Sequence, residues 1–137
     1  TKLDGFIACG VGEHIADTIL GLVTHDLTFD ITSALKANGE VVRAKKRAMQ
    51  QLGIEDNIDD IVITLADHYH LIRPLTEFPE IFIYLALDAK QSNLAMARFK
   101  LAAIAKKLSP TSSAAPKDAR STCDGFPIAM MDIFDQA

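Results

Sequence analysis

His68 and His70 stand two positions apart in the run IVITLADHYHLIRPL (residues 61–75), with Arg73 three positions further on. Residues two apart on a strand point to the same face. The H-x-H pair is therefore open to three readings: half of a metal site, part of a catalytic pocket, or the polar side of a hairpin. A catalytic zinc needs three protein ligands and a second layer of groups to orient them. The remaining histidines, His14 and His25, lie near the start of the chain with no carboxylate at a recognised motif spacing. No third ligand is in view, and a structural hairpin is the reading that remains. Arg73 reads as the partner of an acidic side chain at a strand end.

Other residue types capable of chemistry are as poorly supported. The two cysteines are Cys9, in an apolar run, and Cys123, in a polar stretch. Two thiols so placed do not make a disulfide framework, and a reducing cytoplasm fits them. Cys9 has no basic neighbour in sequence to lower its pKa, so it reads as a small buried apolar residue. No serine sits in a glycine-flanked elbow. Gly10-x-Gly12 lacks the third glycine, lysine or hydroxyl that a phosphate loop requires. These absences predict a protein that is not an enzyme and uses neither metal nor cofactor.

The bulk properties narrow the class. A chain of 137 residues, 49% hydrophobic and 23% charged, fits one soluble domain with a short appendage. A net charge of −4 argues against nucleic acid, whose phosphates need a basic surface. No apolar stretch is long enough for membrane insertion, and no basic-then-apolar leader opens the chain. The first residue is Thr1 rather than Met, which points to a processed or trimmed start.

The elements that must position these residues follow from periodicity. DGFIACGVG and ADTILGLVTHD read as an antiparallel pair of strands, with Gly10, Gly12 and Glu13-His14 taken as the reversal. From Leu27 to Leu52 the apolar positions recur at intervals of three to four, which marks a long amphipathic helix. Thr28 is its expected N-cap, Gly53 its stop, and Asn38-Gly39 a point where it bends or restarts. Residues 61–66 and 69–73 alternate as two strands turning at Ala66-Asp67-His68, and Pro74 ends the second. IFIYLAL (81–87) is apolar on both faces and belongs in the middle of a sheet. Residues 91–108 return to helical spacing, with Leu94, Ala97, Leu101, Ile104, Ala105 and Leu108 on one face. The domain thus spans 1–108. A Pro/Ser/Ala-rich linker (109–125) and a short apolar element (126–137) follow, the latter with Ile128, Met131 and Phe134 on one face and expected to dock on the domain or a partner.

The order strand, strand, long helix, three strands, helix resembles that of the roadblock/dynein-light-chain family. DGFIACGV (4–11) is similar to that family's first strand. EVVRAKKRAMQQLGIEDNIDDIVITLADHYHLIRPL (40–75) is similar to its half-helix, loop and central hairpin, and FIYLALDAKQSNLAMARFKLAAIAKKL (82–108) to its last strand and closing helix. The likeness covers residues 3–108 and is nearest to bacterial stand-alone members. It departs in two places: the family's N-terminal helix is reduced to at most Thr1–Leu3, and the stretch after Ser109 has no counterpart. The resemblance implies a profilin-like α/β/α sandwich around a five-stranded antiparallel sheet, assembled as a homodimer. It also implies a non-enzymatic platform for a small Ras-like GTPase, whose hydrolysis bacterial relatives accelerate by positioning rather than by inserting an arginine.

In the sheet order so implied, IVITL lies at an edge with no charge, proline or bulge to protect it. Ile61, Ile63 and Leu65, with Val41, Val42 and Met49 of the helix above, are then the expected dimer interface. Glu40, Arg43, Lys46, Arg47 and Gln50 share one polar helix face, which reads either as a solvated surface or as a contact for an acidic partner. Two other functions stand beside the GTPase platform: a structural subunit of a larger complex, and a small ligand-sensing domain.

Overall fold

The structure, a computed structural model, describes residues 3–108. The expected linker 109–125 and apolar element 126–137 lie outside the described residues.

IFIYLAL takes the central place that its two apolar faces call for. Strand β5 (Ile81–Asp88) runs between β1 (Phe6–Glu13) and β4 (His68–Pro74), with β2 (Thr18–Thr24) beyond β1 and β3 (Ile61–Thr64) beyond β4. The sheet order is β2-β1-β5-β4-β3, and every neighbouring pair is antiparallel. Helix α1 (Ile31–Gln51) covers one face and helix α2 (Leu94–Lys107) the other. This is the five-stranded, three-layered α/β/α sandwich expected from the sequence.

Alternation along β5 divides the core. Phe82, Tyr84 and Ala86 join Ala8, Ile72 and the α1 residues Ile31, Leu35 and Val42. Ile83, Leu85 and Leu87 join Cys9, Val11, Leu71 and the α2 residues Ala97, Leu101, Ile104 and Ala105. Cys9 is fully buried, and burial pushes its thiol well above the usual range, so it is an apolar filler here.

Three local expectations need correction. Gly10 and Gly12 are not the reversal but lie within β1, facing α1. A Cβ on Gly10 would stand 2.5 Å from Leu35 Cδ1, and one on Gly12 2.9 Å from Phe82 Cζ. Gly10 thus admits Leu35 of α1, Gly12 admits the ring of Phe82 from β5, and the turn falls later, where Asp17 adopts a positive φ of 56°. The N-cap of α1 is Asp30, whose carboxylate accepts from the Ser33 N–H at 3.0 Å and its hydroxyl at 2.7 Å. Thr28 instead donates its hydroxyl to Asp26 at 2.6 Å. Asn38-Gly39 does not break the helix: the Asn38 amide donates to the Ala34 carbonyl at 2.7 Å, and Gly39 fits against His14 and Phe82.

The stop is where the sequence put it. Gly53 has φ +70°, its N–H donates to the Gln50 carbonyl at 3.2 Å and that of Ile54 to Met49 at 2.9 Å. This paired 5→2 and 6→1 arrangement closes the helix with glycine in the left-handed position.

Candidate functional site

The H-x-H pair resolves into an aromatic cluster. His68 and His70 point to the α1 side of β4 and stack with ring centroids 5.9 Å apart. Phe29, just before α1, meets both rings edge-on at 6.3 and 6.2 Å, and Tyr84 meets His70 at 5.3 Å. Burial, then the neighbouring His68, lowers the pKa of His70 and favours its neutral form. His70 Nε2 and the Tyr84 hydroxyl are buried without a hydrogen-bond partner. Among the described residues, no three His, Cys, Asp or Glu side chains gather as a metal site would require. Arg73 does what a strand-end arginine commonly does: its Nη1 lies 3.9 Å from Asp60, which also receives Arg98 Nε at 2.9 Å and Nη2 at 3.1 Å.

The polar face of α1 divides into two kinds of residue. Arg43 donates to the His14 carbonyl and lies 3.3 Å from Asp17, so it ties the helix to the β1–β2 turn. Lys46 donates to the Pro79 carbonyl at 2.6 Å and so ties the helix to the β4–β5 loop. Burial lowers the Lys46 pKa. These two cations, expected in an open contact patch, are half-buried struts. Between them, His14 is buried, its Nε2 3.2 Å from the Pro79 carbonyl and 3.4 Å from Lys46 Nζ. Burial lowers its pKa, and the charges of Lys46 and Arg43 act in the same direction. Glu40, Arg47 and Gln50 remain exposed.

The expected interface residues are also sorted by the structure. β3 pairs on one side only, from Ile61↔Ile72 to Thr64↔Tyr69, which places it at the edge. Ile61, Ile63 and Val41 are half-buried against the α1-side core, and Met49 is half-buried further along the helix. Val42 corrects the expectation: it is 0% exposed in the single chain and belongs to that chain's own core. Leu65, 44% exposed, lies just past the strand, where its N–H donates to the His68 carbonyl at 2.8 Å. Between the second half of α1, residues 54–59 and residues 73–79 runs an open groove of about 300 Å³, with Met49, Ile54 and Leu75 among its apolar walls. Sequence reasoning did not foresee it, because one wall is the end of α1 with the stretch that follows it and the other is residues 73–79, which only folding brings opposite each other.

No family profile and no curated protein sequence matches the chain. Solved structures do. A Roadblock/LC7 domain from Streptomyces avermitilis superposes with a TM-score of 0.64 at 9% identity, covering 80% of this chain and 85% of that one. MglB of Myxococcus xanthus gives 0.64 at 14% identity, covering 82% and 81%. An MglB with a tetrameric arrangement gives 0.55 at 12% identity, covering 87% and 81%.

Proposed function

From the premise that this chain has the Roadblock/LC7 fold, we propose that it works as a non-enzymatic homodimer that regulates or scaffolds a small Ras-like GTPase in the cytoplasm. The observation that carries the reading is the edge strand β3, uncharged and paired on one side only. Antiparallel pairing with the same strand of a second copy would satisfy both open rows about a two-fold axis. Four residues span only about 13 Å. The helix must therefore contribute, through Val41 and Met49, to reach the ~1,000 Å² a specific interface needs. The tetrameric arrangement of one structural neighbour supports self-association.

The GTPase half of the proposal rests on the structural likeness to MglB and on the exposed Glu40, Arg47 and Gln50 of α1, which offer polar contacts to a partner. Two measurements test it separately. Sedimentation at high micromolar concentration should give a dimer, and Ile63→Lys a monomer or insoluble protein; a wild-type monomer would remove the proposed assembly. Affinity capture from native cytoplasm, with and without a GTP analogue, should retain a small GTPase, less of it with Arg47→Glu. Capture of a stable complex containing no GTPase would favour the structural-subunit reading instead.

A further inference from the structure

Helix α2 is apolar on two opposite sides. Ala97, Leu101, Ile104 and Ala105 face the core. Directly opposite, Met96, Phe99 and Ala103 fall in one line at helical spacing, with Phe99 73% and Met96 50% exposed. A single exposed apolar residue is ordinary. A row containing a phenylalanine and a methionine, on the far side of a helix already packed by its other face, is what a helix shows when it has a second layer to bury.

We propose that residues 126–134 of this same chain, FPIAMMDIF, cover the Met96–Phe99–Ala103 face of α2. The proposal is independent of the GTPase reading. Three features select this occupant over a foreign partner. The first is reach. The chain leaves α2 at Leu108, and the seventeen residues 109–125 can span roughly 55–60 Å when extended. The 14-residue helix they must run back along is only about 21 Å long.

The second is charge. Helix α2 carries Lys100, Lys106 and Lys107 besides Arg98, which Asp60 holds, and no acidic residue, whereas the chain beyond Arg120 carries Asp124, Asp132 and Asp135 and no basic one. The third is apolarity: eight of the nine residues 126–134 are apolar, and Ile128, Met131 and Phe134 recur every third position, matching a row with Met96 and Phe99 three apart. Of the other strongly exposed apolar side chains, Ile15 and Leu27 stand near no comparable cluster of cations in sequence, and Leu52, which follows Lys45, Lys46 and Arg47, sits at the C-cap of α1 rather than in a row along a helix face.

Cys123 makes the test direct. It lies three residues before the segment, and the only other thiol, Cys9, is 0% exposed. A nitroxide attached to Cys123 of the full-length ¹⁵N-labelled chain should quench more than half the amide intensity from Ala95 to Ala103. Phe99→Glu on the exposed face, and separately Phe134→Asp, should each restore it while leaving the rest of the spectrum in place. Quenching strongest at Leu108, decaying toward Leu94 and indifferent to both substitutions would mean an undocked tether and overturn the proposal. So would quenching centred on another surface. Quenching of an unlabelled ¹⁵N chain by a spin-labelled ¹⁴N chain, with none within one chain, would assign the face to a second copy and overturn it equally.

Discussion

Asp60 should be worth more to this fold than a surface carboxylate. Its side chain is only 9% exposed and sits at the entrance to β3, where it accepts both arms of Arg98 at 2.9 and 3.1 Å and approaches Arg73 at 3.9 Å. It therefore joins α2, β4 and the start of the edge strand. Hydrogen bonds to charged groups contribute about 1.5–3 kcal/mol each when protected. Arg98 is 52% exposed, so solvent screens its share, and the protected part of the arrangement is the shielded Asp60 carboxylate itself.

Asp60→Ala releases Arg98 into water at little cost but leaves Arg73, 23% exposed, without its carboxylate. We expect a loss of about 2 kcal/mol, or a Tm lower by on the order of 10 °C. Arg98→Ala should also destabilise the fold, because it leaves a shielded carboxylate with Arg73 alone. Urea unfolding at pH 7 and one fixed protein concentration measures each change, and the Asp60→Ala/Arg98→Ala double mutant gives a coupling distinctly above zero. An Asp60→Ala protein within about 0.5 kcal/mol of wild type, or a coupling near zero, would refute the stapling role.

Three further outcomes follow from the packing. His14 and His70 are held neutral, chiefly by burial, so their pKa values are lowered in the folded chain while the unfolded chain protonates near 6.5. Their contribution is present above that pH and lost as pH falls below it; urea midpoints from pH 8 to 5.5 should decline, less steeply in His70→Phe, and a midpoint rising on acidification would contradict this. Gly10→Ala should lose about 1–3 kcal/mol through collision with Leu35 and recover part of it in Gly10→Ala/Leu35→Val, read by thermal melting. In a Cys123→Ser chain, Cys9 should react with a thiol reagent only at the rate of global unfolding, as followed by reagent absorbance under increasing denaturant.

What the sequence disclosed was periodicity. The double-faced run at 81–87, the helical spacing of 94–108 and the glycine at 53 each carry their structural meaning locally, and all three sit where the sequence puts them. What it concealed was partnership. Gly10 and Gly12 look alike whether they make a turn or make room for a large side chain, and only the approach of Leu35 and Phe82 separates the two. Arg43 and Lys46 have the spacing of an exposed stripe, yet they reach carbonyls 29 and 33 positions away. Val42 and Val41 are adjacent in an apolar pair, and helix rotation alone sends one fully inward. The aromatic surroundings of His68 and His70 come from Phe29 and Tyr84, distant in sequence and chemically silent there.

The central position of β5 also dictates an order of events during synthesis. β1–β2 and β3–β4 are both local hairpins, but in the finished sheet neither touches the other; only Ile81–Asp88 joins them. Until that last strand leaves the ribosome, β1 and β4 each expose an inner edge with no native partner. Those inner edges include the apolar runs FIAC and LI. Insertion of β5 closes both edges in one step and brings Phe6 beside Leu87, a contact far apart in sequence whose formation is slow relative to either hairpin. A nascent chain that has emerged from the ribosome as far as Pro74 but not as far as Ile81 therefore holds two hairpins and no sheet, the form of this chain most exposed to chaperones and to its own copies.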